Sequence, residues 1–98
     1  MKQAIGAYFR ALREWKGVSQ EYVARQVGVS GKQVYNWERG ASLPGGPAIA
    51  GLLQALGGSF DDISPYLLMD EDVTSSETEG QELAQRWIAE QMQLHYIN

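Results

Sequence analysis

The chain has 98 residues, 44% of them hydrophobic, with no cysteine and one histidine, His95. That length holds one small domain and a short appendage. Without cysteine, disulfides, thiolate metal sites and cysteine nucleophiles are excluded, and a lone histidine builds no His-based metal site.

The net charge of −4 conceals an asymmetry. Residues 1–60 carry seven basic side chains (Lys2, Arg10, Arg13, Lys16, Arg25, Lys32, Arg39) and three acids (Glu14, Glu21, Glu38), a balance of +4. Residues 61–98 carry nine acids and only Arg86, a balance of −8. A basic face with an acidic tail points toward nucleic acid, although proteins that bind no DNA share the pattern. No stretch approaches the roughly 18 consecutive apolar residues of a membrane span. The N-terminus lacks the apolar run of a signal peptide, so the expected location is the cytoplasm, away from membranes.

Apolar residues Ile5, Tyr8, Phe9 and Leu12 recur at helical spacing, and Gly17 ends that first helix. Ser19 suits an N-cap for a short helix from Gln20, with Tyr22, Val23, Ala24 and Val27 as its apolar set and Gly28 as its stop. Ser30 caps a third helix running to about Arg39, closed by Gly40. Residues 41–47 read as a loop, and a fourth helix from about Ala48 to Leu56 carries Ile49, Leu52, Leu53 and Leu56. Ser59 with Asp62 is a variant of the capping box and opens one turn through Ile63. Pro65 then interrupts it, and Ser64-Pro65 restarts a short helix with Tyr66, Leu67 and Leu68. Residues 69–79 form an acidic, Ser/Thr-rich linker, and 80–98 an amphipathic C-terminal helix.

Residues 20–39 satisfy the requirements of a helix-turn-helix without an insertion. Ala24 is small where the second helix crosses the first, and Gly28 tolerates the positive φ of the turn. Val23, Val27, Val29, Val34 and Trp37 plug the corner. With Val34 and Trp37 inward, about 100° per residue leaves Lys32, Tyr35, Asn36 and Arg39 outward. None is acidic. Lys32 can donate to guanine O6 and N7, Asn36 can pair with adenine, and Gln33 on the flank reaches a base if the helix tilts. Gln20 and Ser30 begin their helices and suit phosphate contacts, as do Tyr35 and Arg39.

The run Leu12-Arg13-Glu14-Trp15-Lys16-Gly17-Val18-Ser19-Gln20, then Val23-Ala24, Gly28-Val29-Ser30, Val34 and Trp37-Glu38-Arg39-Gly40, resembles the Cro/C1-type (XRE-like) helix-turn-helix family. Leu56-Gly57, Ser59 and Asp61-Asp62-Ile63 fit that family's later helices, so the likeness spans roughly residues 4–68. It implies an all-α, five-helix lambda-repressor-like domain that binds double-stranded operator DNA as a symmetric dimer. It also implies an ion pair between Arg13 and Glu38, and a phosphate contact and supporting role for Gln20. Two positions depart from the family. Gly31 stands where a polar base-reading side chain is common, and Gly45-Gly46-Pro47 replaces a more ordinary opening of the fourth helix.

Plainer roles weigh against several of these residues. Trp37 and Tyr22 read as core by their spacing, and Tyr35 as either a rim residue or a phosphate contact. Trp15 reads as half-exposed, packed on the tail or on a partner. Lys2, Arg10, Lys16 and Arg25 read as solvated surface with a phosphate contact or two among them. The acidic segment 70–82 reads as a solubilising linker before a mimic of DNA.

Leu83, Trp87, Ile88, Met92 and Leu94 give the C-terminal helix an apolar face that fits either its own domain or a partner subunit. The partner is favoured, because operator half-sites call for a two-fold pair. The leading function is thus a homodimeric repressor on a palindromic operator. The alternative is an antitoxin or protein-interaction module whose C-terminal helix grips a protein. No nucleophile–base set, metal constellation or phosphate-binding glycine loop is present, so neither an enzyme nor a cofactor is expected.

Overall fold

The computed structural model describes residues 3–67 and 76–97, with side chains as far as residue 94. It contains α1 (Gln3–Lys16), α2 (Gln20–Val27), α3 (Gly31–Glu38), α4 (Gly46–Leu56), α5 (Phe60–Leu67) and α6 (Glu77–Ile97), and no strand among the described residues. The chain is all-α.

The helix ends follow from local chemistry. The Ser19 side chain accepts from the Tyr22 amide to start α2, and Gly28 stops it at φ 83°, a left-handed conformation that costs glycine little. Ser30 and Gln33 form a complete capping box at α3. The α4 helix begins at Gly46, with Pro47 inside its first turn, where the missing amide hydrogen costs no bond.

The first helix is the centre of the molecule. Its buried residues are Ala4, Ile5, Gly6, Ala7, Tyr8, Phe9 and Leu12, so it is covered on more than one side. Helices α3, α4, α5 and α6 all pack against it. At Gly6 an added Cβ would collide with the carbonyl of Trp37 and lie 3.0 Å from that of Glu38, so α1 meets the end of α3 backbone to backbone. The core joins Ile5, Tyr8, Phe9 and Leu12 to Val23, Ala24, Val34 and Trp37 of the helix-turn-helix, then to Ile49, Leu52, Leu56 and Ile63.

The Tyr8 hydroxyl organises the start of α5. It accepts the Ser59 amide hydrogen at 2.8 Å and donates to Asp62 Oδ2 at 2.8 Å. Tyr8 therefore stands between the two residues that the sequence pairs directly as a capping box. Pro65 does not interrupt this helix but lies within it. Leu68, expected to continue it, lies outside the described residues.

The C-terminal helix differs most from expectation. It starts at Glu77, so residues 77–79 are helix rather than linker; residues 69–75 of that linker lie outside the described residues. The start is a capping box: the Ser76 hydroxyl accepts from the Glu79 amide, and the Glu79 carboxylate accepts from the Ser76 amide. The Tyr66 hydroxyl also donates to Glu79, at 3.0 Å, tying α5 to this start.

The helix then lies along α1 of its own chain. Ala84 and Ile88 are buried in the common core, with Leu83 and Trp87 partly buried beside them. At Gly80 an added Cβ would strike the Ala4 carbonyl. The Trp87 ring covers Gly57 at the end of α4 and meets Trp15 edge to face at 5.9 Å. Of the five residues expected to face a partner subunit, three thus pack within the chain. Met92 and Leu94 remain 60% and 59% exposed.

Candidate nucleic-acid interface

Two helices converge on Glu38, the last residue of α3. Arg13 of α1 donates from Nε to Oε2 at 2.6 Å and from Nη2 to Oε1 at 3.1 Å. Its remaining arm donates to the Val18 carbonyl at 2.8 Å. Gln20, the first residue of α2, donates to Glu38 Oε1 at 2.9 Å. The carboxylate is buried, so a fork of donors from two helices replaces its water. The hydrogen bond to Glu38 raises the Arg13 pKa above the ordinary guanidinium value, against the opposing effect of burial. The network holds α3 against α1 and α2, and so fixes the orientation of the outward stripe.

That stripe presents different chemistry at each position. Lys32 and Gln33 are exposed in the first turn of α3, and Asn36 is half-buried one turn later. The Gln33 carbonyl oxygen accepts the Ser30 amide hydrogen at 3.0 Å, which leaves its NH2 as the outward group. Asn36 accepts from Arg39 Nε at 3.3 Å, so its carbonyl oxygen already has a partner while its NH2 donors remain. The Arg39 guanidinium stacks over the Tyr35 ring at 5.4 Å.

Not every sequence-derived residue is placed as expected. Val34 and Trp37 are buried and Trp15 is 45% exposed, but Tyr22, assigned to the core, is 39% exposed. In the short α2 the inward stripe narrows to Val23 and Ala24, leaving the tyrosine on the rim. Tyr35 is exposed and shares a shallow hollow with Arg39, Gln20, Arg13, Glu38 and Arg10. The sequence alone reads Arg10 as solvated surface, one of four basic residues with a phosphate contact or two among them. Its only ion pair among the described residues is an exposed one with Glu14 at 3.6 Å, which holds it weakly. The signal for its position is its place three residues before Arg13, on the same side of α1.

At the other end of the stripe, the position vacant of a side chain at Gly31 has a neighbour. A Cβ built there would lie 3.7 Å from Glu21 Oε1 and 3.9 Å from its Cγ. Among the described residues no group of three or more His, Cys, Asp or Glu could hold a metal, and no helix is long and apolar enough to cross a membrane.

The surface is thus a helix start with lysine, amide donors and a flanking arginine–tyrosine pair, held by a buried ionic brace. Hydrogen-bond donors dominate it, which suits phosphate oxygens and purine acceptors. Neither the curated proteins nor the solved structures include a significant match to the chain. The helix-turn-helix domain family matches residues 4–63, from α1 into α5, leaving α6 outside. That span is more than half of the chain and agrees with the likeness to Cro/C1-type regulators, so this protein belongs to the helix-turn-helix family of DNA-binding domains.

Proposed function

We propose that the protein is a sequence-specific transcriptional regulator, a repressor that occludes a promoter by binding a palindromic operator as a homodimer in the cytoplasm, without cofactor or enzymatic step. The observation that carries this reading is the exposed start of α3, with Lys32 and Gln33 on its surface and Asn36 one turn on, braced from behind by Glu38; these three are the proposed base contacts. Gln20, Ser30, Tyr35 and Arg39 contact phosphate, and Arg10 extends that track onto α1.

Selection of bound sequences from a random duplex pool tests it, with wild type, Lys32→Ala and Asn36→Ala. A palindromic motif that loses a base preference in each variant supports the assignment. An unchanged motif with Lys32→Ala removes Lys32 from the reading face. Sedimentation tests the dimer, and Met92→Glu with Leu94→Glu are the informative variants. Deleting residues 80–98 would also strip Ala84 and Ile88 from the core.

A second reading, an antitoxin or protein-interaction module, is favoured by the exposed Met92 and Leu94 near the far end of α6. It predicts one stoichiometric protein partner and no selected operator.

A further inference from the structure

We propose that Glu21, on α2, reads a cytosine in the operator at the place where Gly31 contributes no side chain. The inference rests on the DNA-binding reading above and adds a base contact from outside the recognition helix. Gly31 is the first residue of α3, the end that enters the major groove. A side chain there would project beside Glu21, whose Oε1, Cγ and Cδ lie 3.7, 3.9 and 4.0 Å from the position of its Cβ. The space that a larger residue would fill is bordered by this carboxylate.

Glu21 is exposed, and among the described residues it has neither an ion-pair nor a hydrogen-bond partner. As a carboxylate it can only accept, and phosphate repels it. The major groove offers two exocyclic amine donors, on cytosine and on adenine. Adenine sets N7, an acceptor, beside its amine, and a carboxylate placed there meets a lone pair. Cytosine has no such acceptor beside N4, so its amine is the preferred partner. A glycine that reads nothing and an acid that phosphate would repel become one device: the glycine gives room for the acid to reach a base.

The test is selection from random duplexes with wild type, Glu21→Gln and Glu21→Ala, followed by binding measurements on the selected site and its single-base variants. Wild type is expected to prefer cytosine at one position per half-site by about tenfold, within the usual range for a specific base contact. Glu21→Ala should lose the preference at that position alone, and Glu21→Gln should change it toward adenine. A uniform rise in affinity with an unchanged motif in both variants overturns the proposal and makes the carboxylate a simple repeller of phosphate. An unchanged motif with a slightly lower melting temperature overturns it too, leaving Glu21 as a first-turn acid of α2. If wild type selects no duplex, this inference and the proposed function fail together; if it selects one, only the variants decide this inference.

Discussion

Arg13 and Glu38 lie 25 residues apart and meet at 2.6 Å, the link that ties α1 to the end of α3. Their side chains retain 14% and 7% of their exposure. Arg13→Ala leaves Glu38 buried with Gln20 as its remaining side-chain donor, at a cost of about 3–5 kcal/mol. Urea unfolding measures the loss. Arg13→Ala with Glu38→Leu should recover part of it, because no charge is then stranded, and an additive double variant would refute the coupling.

Tyr8 predicts a pH dependence. Burial, more than its hydrogen bond and proximity to Asp62, raises its pKa well above the ordinary value, against the lowering effect of the Ser59 amide. The folded protein therefore keeps a proton that the unfolded chain releases above about pH 10. Its contribution is complete below that pH and falls as pH rises, by about 1.4 kcal/mol per unit at most. Tyr66, raised mainly by burial and by its bond to Glu79, adds to the same trend. Urea midpoints from pH 8 to 11 should fall less steeply for Tyr8→Phe than for wild type. That variant should also lose about 1–3 kcal/mol at neutral pH, from the unpaired Ser59 amide and Asp62.

Gly80→Ala reverses the usual rule. In an exposed helix interior the change gains about 1 kcal/mol. Here the new methyl meets the Ala4 carbonyl and lies 2.9 Å from the Tyr8 nitrogen. A loss of about 1–3 kcal/mol is expected from the overpacking. A lower melting temperature with altered fluorescence from Trp15 and Trp87 would show α6 displaced; a higher one would contradict the close crossing.

Arg10→Gln should weaken binding to every duplex to a similar degree, since a phosphate contact carries no sequence information. The slope of log affinity against log salt should fall by about 0.9, the value of one lost contact. Arg10→Lys should retain the slope. Unchanged slopes in both would return Arg10 to plain surface.

The helix-turn-helix was legible because its instructions are local. Ser19, Gly28 and Ser30 each act within a turn of their own positions, and the structure uses them where the spacing puts them. Tyr22 was misread because eight residues make barely two turns, and the crossing of α3 and α4 decides which side of so short a helix is covered. The start of α6 was hidden by composition: Ser76 and Glu79 are a capping box inside a stretch that reads as acidic linker. Its docking within the chain had a signal in α1. Ala4, Ile5, Gly6, Ala7, Tyr8 and Phe9 are apolar in succession, too many for one face, and a helix apolar all round needs a second cover. The reach of Glu21 to Gly31 joins two helices, and no spacing within either one contains it.

At 21 residues, α6 is a rigid rod about 30 Å long. Its crossing at Gly80 and Ala4 lies close to one end, and its last exposed apolar groups lie toward the other. Between those ends Ala84, Trp87 and Ile88 also pack on the domain, so the rod is clamped along its middle as well as at the crossing. A load on Met92 or Leu94 therefore falls first on the contacts of Ile88 and Trp87. On the opposite side of α1, Gly6 abuts the carbonyls of Trp37 and Glu38 with equally little slack. The two glycines thus bring α6 and the end of α3 against one and the same helix with no side chain between the backbones.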